Sequence, residues 1–320
     1  MRDLSHRLIH PFPITLFSVV MGLAGLTIAY ERAVPLLGLP AVVHTVLLGL
    51  VSAVFALVLA LYALKVVLHP KAVLAELQHP IKLSFFATIP ISFLLVSIAY
   101  HHHASPAIGE ALWFIGAPTQ LLMVLTALSR WIRHDFDLAH ANPAWFIPIV
   151  GTLIVPVVGV DVASPFVAIF FFSIGMFFWL VFFTIILYRL IFHVALQKKF
   201  IPTLFIFIAP PAVGLVSYYR ITGGLDLFAY ALYSLTLFFL LLLLSMGTHF
   251  RLPRFFISWW AYTFPLAASA IASLLVYRVS HEPLLAWVSG ACLVLATLVV
   301  ARVAYATLKE AWHRKLLVED

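Results

Sequence analysis

The sequence predicts an all-α integral membrane protein in which ten transmembrane helices form five helical hairpins. Hydrophobic residues make up 64% of the 320-residue chain, and charged residues only 10%. Its apolar runs repeatedly reach about 20 residues, the length that an α-helix needs to cross a bilayer. Runs such as 227–246 stay apolar throughout, whereas barrel strands alternate and soluble helices keep a polar face. We therefore expect a single transmembrane domain over residues 1–320.

The boundaries of the spans follow from the polar breaks between the apolar runs. The predicted spans cover residues 12–30, 41–66, 83–100, 108–130, 143–160, 164–190, 200–219, 225–248, 255–277 and 284–307. The first run has aromatic ends and is followed by Glu31 and Arg32 instead of a small-residue cleavage site. Because a signal peptide ends in such a site, we expect this run to be retained as the first span.

The basic residues fall almost entirely in the loops on one side of these spans. Sixteen of the 19 lie there, namely Arg2, Arg7, Lys65, Lys71, Lys82, Arg130, Arg133, Arg189, Lys198, Lys199, Arg251, Arg254, Arg302, Lys309, Arg314 and Lys315. The other side receives only Arg32, Arg220 and Arg278. Cytoplasmic loops carry the excess of Lys and Arg, so both termini are predicted to be cytoplasmic, which requires an even number of spans. We therefore expect a multi-pass membrane protein.

Prolines mark every odd-numbered span. They are Pro13, Pro90, Pro148 with Pro156, Pro210 with Pro211, and Pro265. Among the even-numbered spans, only the fourth holds a proline away from its ends, Pro118. This alternation predicts an internal repeat of five hairpins, each made of one kinked and one straight helix. The alternative is that these prolines reflect only the higher frequency of proline in membrane helices.

The kinks predict which helices lie inside. A proline within a helix leaves the carbonyl four residues earlier without its usual partner. For Pro90, Pro148, Pro210 and Pro265, these carbonyls belong to Phe86, Ala144, Ile206 and Ala261. Lipid cannot satisfy a carbonyl group, so we expect the kinked helices to face protein or a water-filled cavity and the straight ones to face the bilayer.

The interiors of the five kinked spans contain no Asp, Glu, Lys, Arg or His. Ion-coupled carriers usually keep an ionisable group at depth, so a weakly binding channel is favoured. The hydroxyl groups that could line its path are those of Ser84, Thr88, Ser92, Thr152, Ser217, Thr263 and Ser269. The aromatic candidates near the prolines are Phe17, Phe85, Phe86, Phe146 and Phe207.

Phe264 is the candidate gate. Most phenylalanines in membrane helices contact lipid or pack between helices. Phe264, however, adjoins Pro265 near the middle of its span, where an aromatic ring can close a narrow pore by bulk and dewetting.

Five proline-containing segments, one in each odd span, resemble a known family. They read HPFPITLFSVVMGLAGL (10–26), HPIKLSFFATIPIS (79–92), NPAWFIPIVG (142–151), IAPPAVGLVSYY (208–219) and WWAYTFPLAAS (259–269). In this order and at these spans, they resemble the tellurite-resistance and dicarboxylate-transporter family, which includes the bacterial TehA proteins and the plant guard-cell slow anion channels.

The resemblance implies an architecture and an activity. It implies five hairpins in a quasi-fivefold arrangement around a central pore, a homotrimer with one pore per subunit, and conduction of small inorganic or organic anions. It also implies that a phenylalanine of the ninth helix, here Phe264, blocks conduction. Pro265 stands where many bacterial relatives carry glycine. The plant channels' long phosphorylated termini are absent from this sequence, so we do not expect kinase control of the plant type.

The residues themselves support anion selectivity only in part. The net charge of +7 mostly reflects loops that set orientation. Carbonyl groups freed at the kinks would favour cations if they faced the pore, whereas the absence of acidic residues there favours anions. A secondary carrier of dicarboxylates, or of oxyanions such as tellurite, is the alternative function.

Histidine clusters raise a third possibility, a membrane metalloenzyme. His6 and His10 are spaced as i and i+4, and His101 to His103 are consecutive. The charge distribution puts the two clusters on opposite faces, and the segment from Asp135 to His140 is a short loop. Since metal ligands must converge, we expect no metal, no cofactor and no enzymatic activity. The expected partners are anions and lipid, without nucleic acid.

The remaining charged residues lie near the ends of the spans. We expect capping and interface solvation from Glu110, Asp161, Asp226 and Glu282. Arg220 and Arg278 close two pore-lining helices. They can anchor those helices at the membrane interface or attract anions, and anchoring is the favoured interpretation.

Overall fold

The computed structural model describes residues 9–133, 137–250 and 254–313. Several residues used above lie outside these ranges. They are Arg2, His6, Arg7, Asp135, Arg251, Arg314 and Lys315.

Ten helices in the described part of the chain are long and apolar enough to cross a membrane. They are α1 (Ile14–Leu37), α2 (Ala41–Leu68), α3 (Lys82–His101), α4 (Pro106–Arg133), α5 (Pro143–Val162), α6 (Pro165–Phe192), α7 (Lys198–Thr222), α8 (Leu227–Ser245), α9 (Ile257–Ser280) and α10 (Pro283–Trp312). A short helix, Pro70–Gln78, joins α2 to α3. The predicted all-helical class and the number of spans are confirmed.

Helix α1 continues beyond its predicted end at residue 30. It runs through Glu31 and Arg32 to Leu37, and Gly38 then closes it in the left-handed conformation, with φ of 66°. Glu31 and Arg32 end the apolar run, but they do not end the helix, because charged residues are good helix formers. The glycine is the actual stop signal.

The odd helices lie inside and the even helices outside, as predicted. In their most apolar windows, 72% to 83% of the residues of the odd helices are buried, against 28% to 39% for the even helices. The even helices expose large apolar side chains such as Phe177, Leu241 and Trp287. These side chains are suited to the hydrocarbon of a bilayer.

The odd helices form a closed ring. Contacts run from α1 to α3, α5, α7 and α9 in turn, and α9 returns to α1. Each even helix packs against the odd helix before it and also touches the next odd helix around the ring. This gives the quasi-fivefold arrangement of hairpins around a central axis.

The prolines start α-helical segments instead of bending continuous helices. In α9, a 3₁₀ segment Ile257–Tyr262 gives way to an α segment at Thr263, and Pro265 is its third residue. In α7, the 3₁₀ segment Lys198–Ile208 precedes an α segment that begins at Ala209, so Pro210 lies in its first turn. First-turn N–H groups need no partner within the helix, so proline is tolerated there.

Pro90 and Pro148 follow the same rule, and Pro13 departs furthest from the prediction. Pro90 and Pro148 are each the third residue of an α segment, at Thr88–His101 and Phe146–Ile154. Pro13 lies before the first turn of α1, in an extended conformation with ψ of 146°. It therefore kinks no helix.

Two of the carbonyls that were predicted to be freed find backbone partners. The oxygen of Phe86 accepts a hydrogen bond from the N–H of Ile89 at 3.2 Å. The oxygen of Ile206 accepts one from the N–H of Ala209. Both bonds span three residues, because the tighter 3₁₀ geometry supplies a donor one residue earlier than the proline.

Helix α5 has a second break, at Val155 before Pro156, and side chains of its neighbours satisfy its carbonyls. The donor and acceptor pairs are Gln120 to Pro148 (2.7 Å), Trp113 to Val155 (2.9 Å), Arg220 to Val157 (3.0 Å), and Ser217 to Leu153. These donors fix α4 and α7 against α5.

Candidate functional site

Two cavities lie along the ring of odd helices, one towards each face of the molecule. We call the face that carries Ile9 and His313 the terminus face, and the other the distal face. The terminus-face cavity has a volume of about 850 Å³ and is lined by residues of α1, α3, α5, α7 and α9. The distal cavity has a volume of about 430 Å³ and is lined by the same five helices. Both lie on the axis that the ring encloses.

Phe264 borders both cavities. Among the described residues, it is the only one that lines both. It is 5% exposed and is the second residue of the α segment of α9. Its aromatic ring therefore presents bulk and an apolar surface at a position that the two cavities share.

A glycine of α1 lies against Phe264. A Cβ atom on Gly25 would lie 3.1 Å from Cδ2 of Phe264 and 3.0 Å from Cβ of Ala267. One turn earlier, a Cβ atom on Gly22 would lie 2.8 Å from Cβ of Thr263. The two glycines thus let α1 and α9 approach closely, and Gly25 leaves room for the ring.

The other aromatic candidates differ in position. Phe85 lines the terminus-face cavity, whereas the remaining candidates line neither cavity. Phe146 packs edge-on against Phe207, with centroids 5.4 Å apart. Phe17 and Phe86 pack in the same way against Tyr62, at 5.7 Å and 6.3 Å. These four rings fill the spaces between helices.

The hydroxyl groups mostly bond to their own helices. Of the seven predicted to line a path, only that of Thr88 borders a cavity, the one at the terminus face. Thr152, Thr263 and Ser269 each donate to the carbonyl three residues earlier, at 2.6 to 2.7 Å. Sequence alone does not separate such self-bonded hydroxyls from pore-facing ones.

The terminus-face cavity is positively charged. Its lining includes Lys82, Lys199 and Arg254, together with Glu76 and Glu310. Glu76 is paired with Lys65, whose Nζ lies 3.2 Å from its Oε1. His79 also lines this cavity, and burial, followed by Lys82 and Lys199, lowers its pKa.

Three arginines line the distal cavity, and they are the three that the sequence assigns to this face. They are Arg32, Arg220 and Arg278. Arg220 is held by the carbonyl of Val157 and by the Asp161 carboxylate. Arg278 makes no hydrogen bond or ion pair with any described residue, so its charge is available to a solute.

Glu31 is a site residue that the sequence analysis missed. It lines the distal cavity, is 3% exposed, and lies 3.2 Å from Nε2 of His103 and 3.7 Å from Nε of Arg32. The predicted first span ends at residue 30, whereas α1 continues to Leu37, so the expectation that the inner helices carry no ionisable group is wrong at Glu31. Gly38 and Pro40 were the signals that would have extended α1 past Glu31.

The candidate site consists of the ring of odd helices, its two cavities and Phe264, which borders both. Comparison of the sequence with known proteins shows which family shares this architecture. Residues 11–308 match the family described as SLAC1, voltage-dependent anion channel. The chain belongs to this family. The resemblance inferred from the five segments is thereby confirmed.

Curated relatives of this SLAC1-family chain come from plants, bacteria and archaea. It is 30% identical to the S-type anion channel SLAH2 of Arabidopsis thaliana, over 97% of this chain and 61% of the relative. It is 31% identical to the tellurite resistance protein TehA homolog of Haemophilus influenzae, over 84% of this chain and 82% of the relative. An uncharacterized transporter of Methanocaldococcus jannaschii is 26% identical over 70% of this chain and 73% of its own length. The chain spans only about half to three-fifths of the first two Arabidopsis relatives.

The described histidines of the two clusters in the SLAC1-family chain lie on opposite faces, as predicted, whereas His6 lies outside the described residues. His10 is at the terminus face, and His101, His102 and His103 are at the distal face. Burial, followed by the charges of Arg32, Arg220 and His101, lowers the pKa of His102 to about 4. Burial and Arg32 also lower the pKa of His103. At neutral pH these two imidazoles are therefore uncharged.

The four carboxylates at the helix ends have different roles. Asp226 caps α8, because its Oδ1 accepts the N–H of Ala229 at 3.0 Å, and a hydrogen bond from Tyr218 lowers its pKa. Glu282 occupies the corresponding position before α10 without a side-chain bond, and Glu110 is exposed on α4. Asp161 pairs with Arg220 and does not cap a helix.

Removing the charge of Arg278 is expected to reduce anion current. Arg278→Gln should lower the current about two- to threefold at 10 mM salt when anions enter from the distal face, and by much less at 1 M, because the Debye length falls from about 30 Å to about 3 Å. The current is measured at both ionic strengths. Lys71→Gln, which removes an exposed charge at the terminus face, is the matched control. An equal loss at both salt concentrations would assign Arg278 to anchoring.

Proposed function

We propose that this protein is a passive, anion-selective channel of the bacterial inner membrane, with both termini in the cytoplasm, and that Phe264 closes its pore. The single observation that carries the proposal is that Phe264, alone among the residues that the structure describes, lines both cavities of the helix ring. The proposed path runs from the distal cavity, past the aromatic side chain of Phe264, to the terminus-face cavity. Family relatives are described as channels and transporters, and we propose no enzymatic activity.

Anion selectivity is supported by the charges at both ends of the path. Three arginines line the distal cavity, and two lysines and an arginine line the other. Each cavity also holds acidic groups, but Glu76 is neutralised by Lys65 and Glu31 lies beside Arg32. Glu310 is then one acidic group against the three basic ones of the terminus-face cavity, which keeps an excess of positive charge. Clefts lined by one sign of charge concentrate counter-ions, so both cavities favour anions over cations.

Planar bilayer recording tests the proposal. The purified full chain should give unitary currents whose reversal potential in a KCl gradient follows the chloride equilibrium potential. The open state should carry far more ions per second than an alternating carrier can turn over, because no rearrangement accompanies each ion. Saturable flux without unitary currents would contradict the channel.

A secondary carrier remains the second candidate, and Glu31 is the observation that favours it. An acidic residue that is 3% exposed in a transmembrane helix is typical of proton-coupled transport. In vesicles with equal anion concentrations on both sides, a pH gradient should drive anion uptake by a coupled carrier and none by a passive channel. Uptake that depends on this gradient would favour the carrier.

We also propose that the protein forms a homotrimer with one pore per subunit, on the strength of the family resemblance. The five even helices of each subunit offer apolar faces that suit both lipid and a neighbouring subunit. Light scattering of the detergent-solubilised protein, corrected for bound detergent, should give three times the chain mass of 35.7 kDa. A monomeric mass that is unchanged across several mild detergents would contradict the trimer.

A further inference from the structure

Two histidines and an aspartate meet at the distal face, next to the pore but outside it. His101 is the last residue of α3, His102 follows it, and Asp161 is the penultimate residue of α5. One ligand atom from each of the three lies within 4.8 Å of the others. Nε2 of His101 is 3.3 Å from Oδ2 of Asp161, and the two imidazole centroids are 5.1 Å apart. The α3 and α5 ends thus bring together residues about 60 positions apart.

The imidazoles have unused nitrogen atoms. Nε2 of His102 and Nδ1 of His101 are buried and have no hydrogen-bond partner in the described part of the chain. A buried polar atom without a partner costs free energy, and binding a ligand removes that cost.

The donor set selects one class of ion. Two imidazoles and one carboxylate suit Zn²⁺ and similar late transition metals, whereas Mg²⁺ and Ca²⁺ require mainly oxygen ligands. Zn²⁺ binds imidazole nitrogen at about 2.0–2.1 Å, so the ligand atoms must draw together by about 1 Å. His102 lies in a turn after the end of α3, where a side-chain rotation can provide this movement.

We propose that His101, His102 and Asp161 bind a Zn²⁺ ion at the distal face, with the fourth position open to water. The ion competes with Arg220 for the Asp161 carboxylate, which Arg220 now contacts. Arg220 lines the distal cavity and keeps its bond to the carbonyl of Val157. Metal binding therefore frees a positive charge beside the cavity and joins the outer ends of α3 and α5. The third ligand of the proposed site comes from α5 and not from the other histidine cluster, so the expectation of no metal does not apply to this site.

Isothermal titration with ZnCl₂ tests the site without reference to conduction. The full chain in detergent, freed of any polyhistidine tag, should bind one Zn²⁺ per chain and no Mg²⁺ under the same conditions. His102→Ala and Asp161→Asn should each weaken Zn²⁺ binding at least about tenfold, since even residues that only support a metal ligand are worth about 10- to 100-fold. Size-exclusion profiles and melting temperatures in metal-free buffer verify that both variants are folded.

Two further histidine variants locate the site. His281→Asn is the matched control, because His281 is also at the distal face and asparagine tolerates its φ of 55°. It should bind Zn²⁺ like the wild type. If His103→Ala abolishes Zn²⁺ binding and His102→Ala leaves it intact, the ion binds at His103 and Glu31 instead. This outcome would overturn the proposal. Absence of saturable Zn²⁺ binding to the wild-type chain would overturn it as well. Neither outcome bears on whether Phe264 closes a pore.

Discussion

Phe264→Ala is expected to raise the single-channel conductance at least about tenfold above that of the wild-type protein. The aromatic side chain of Phe264 borders both cavities, of about 850 Å³ and 430 Å³, and we expect its replacement by alanine to join them. Taking an ion out of water at a narrow apolar point costs several kcal/mol. Lowering that barrier by about 1.4 kcal/mol raises the rate of ion passage tenfold. Conductance is measured in planar bilayers with the same anion on both sides.

Phe207→Ala is the matched control for this substitution. Phe207 is equally buried in an inner helix but lines neither cavity and packs against Phe146. Its truncation should cost about 3–5 kcal/mol of stability and leave the conductance of the folded protein unchanged. A folded Phe264→Ala variant whose conductance equals that of the wild type would remove Phe264 from the gating role. An equal rise in Phe207→Ala would attribute the effect to loosened packing.

Pro265 bears on how the Phe264 ring could move. It occupies the first turn of an α segment, where no N–H group needs a partner within the helix. Pro265 therefore removes no hydrogen bond from α9 and does not make the helix easier to bend at this point. Gly25 meanwhile lies against the ring with room for hydrogen atoms only. We therefore expect the pore to open by rotation of the Phe264 side chain away from the axis of the helix ring, or by a change in the 3₁₀ segment Ile257–Tyr262. Either movement costs less free energy than bending α9.

The helices and their alternation could be predicted from the sequence because a bilayer leaves few alternatives. Backbone groups in hydrocarbon must bond within the span, so each apolar run of sufficient length is a helix. The prolines identified the inner helices correctly, although most of them lie in the first turn of an α segment and do not bend a continuous helix. The end of α1 was missed because Glu31 interrupts the apolar run without interrupting the helix.

The lining of the cavities could be predicted only in part. Phe264 and Phe85 border cavities, whereas Phe17, Phe86, Phe146 and Phe207 do not, although all six are buried phenylalanines near prolines. The difference depends on the rotation of each helix about its own axis. Packing between neighbouring helices sets that rotation, as the contact of Gly25 with α9 does for α1. The hydrophobic pattern of the sequence cannot predict the rotation when every face of a helix is apolar.

A buried ion pair holds the terminus face together. Lys65 at the end of α2 is 2% exposed, and its Nζ lies 3.2 Å from Oε1 of Glu76 and 2.8 Å from the carbonyl oxygen of Phe12. The hydroxyl of Tyr62 donates to the other carboxylate oxygen of Glu76 at 2.9 Å. Lys65 thus ties α2 to the Pro70–Gln78 helix and to the segment before α1.

Lys65→Met is expected to destabilise the protein by about 3–5 kcal/mol, because it leaves the Glu76 carboxylate buried without its counter-ion. Unfolding in mixed micelles of increasing denaturing-detergent fraction gives the free energy. Lys71→Met, at an exposed position nearby, should match the wild type. Adding Glu76→Gln to Lys65→Met should recover most of the loss, since a neutral amide needs no counter-ion and can still accept from Tyr62. If the double variant is no more stable than Lys65→Met, the loss comes from the bond to Phe12, and Lys65 acts chiefly by holding the chain before α1.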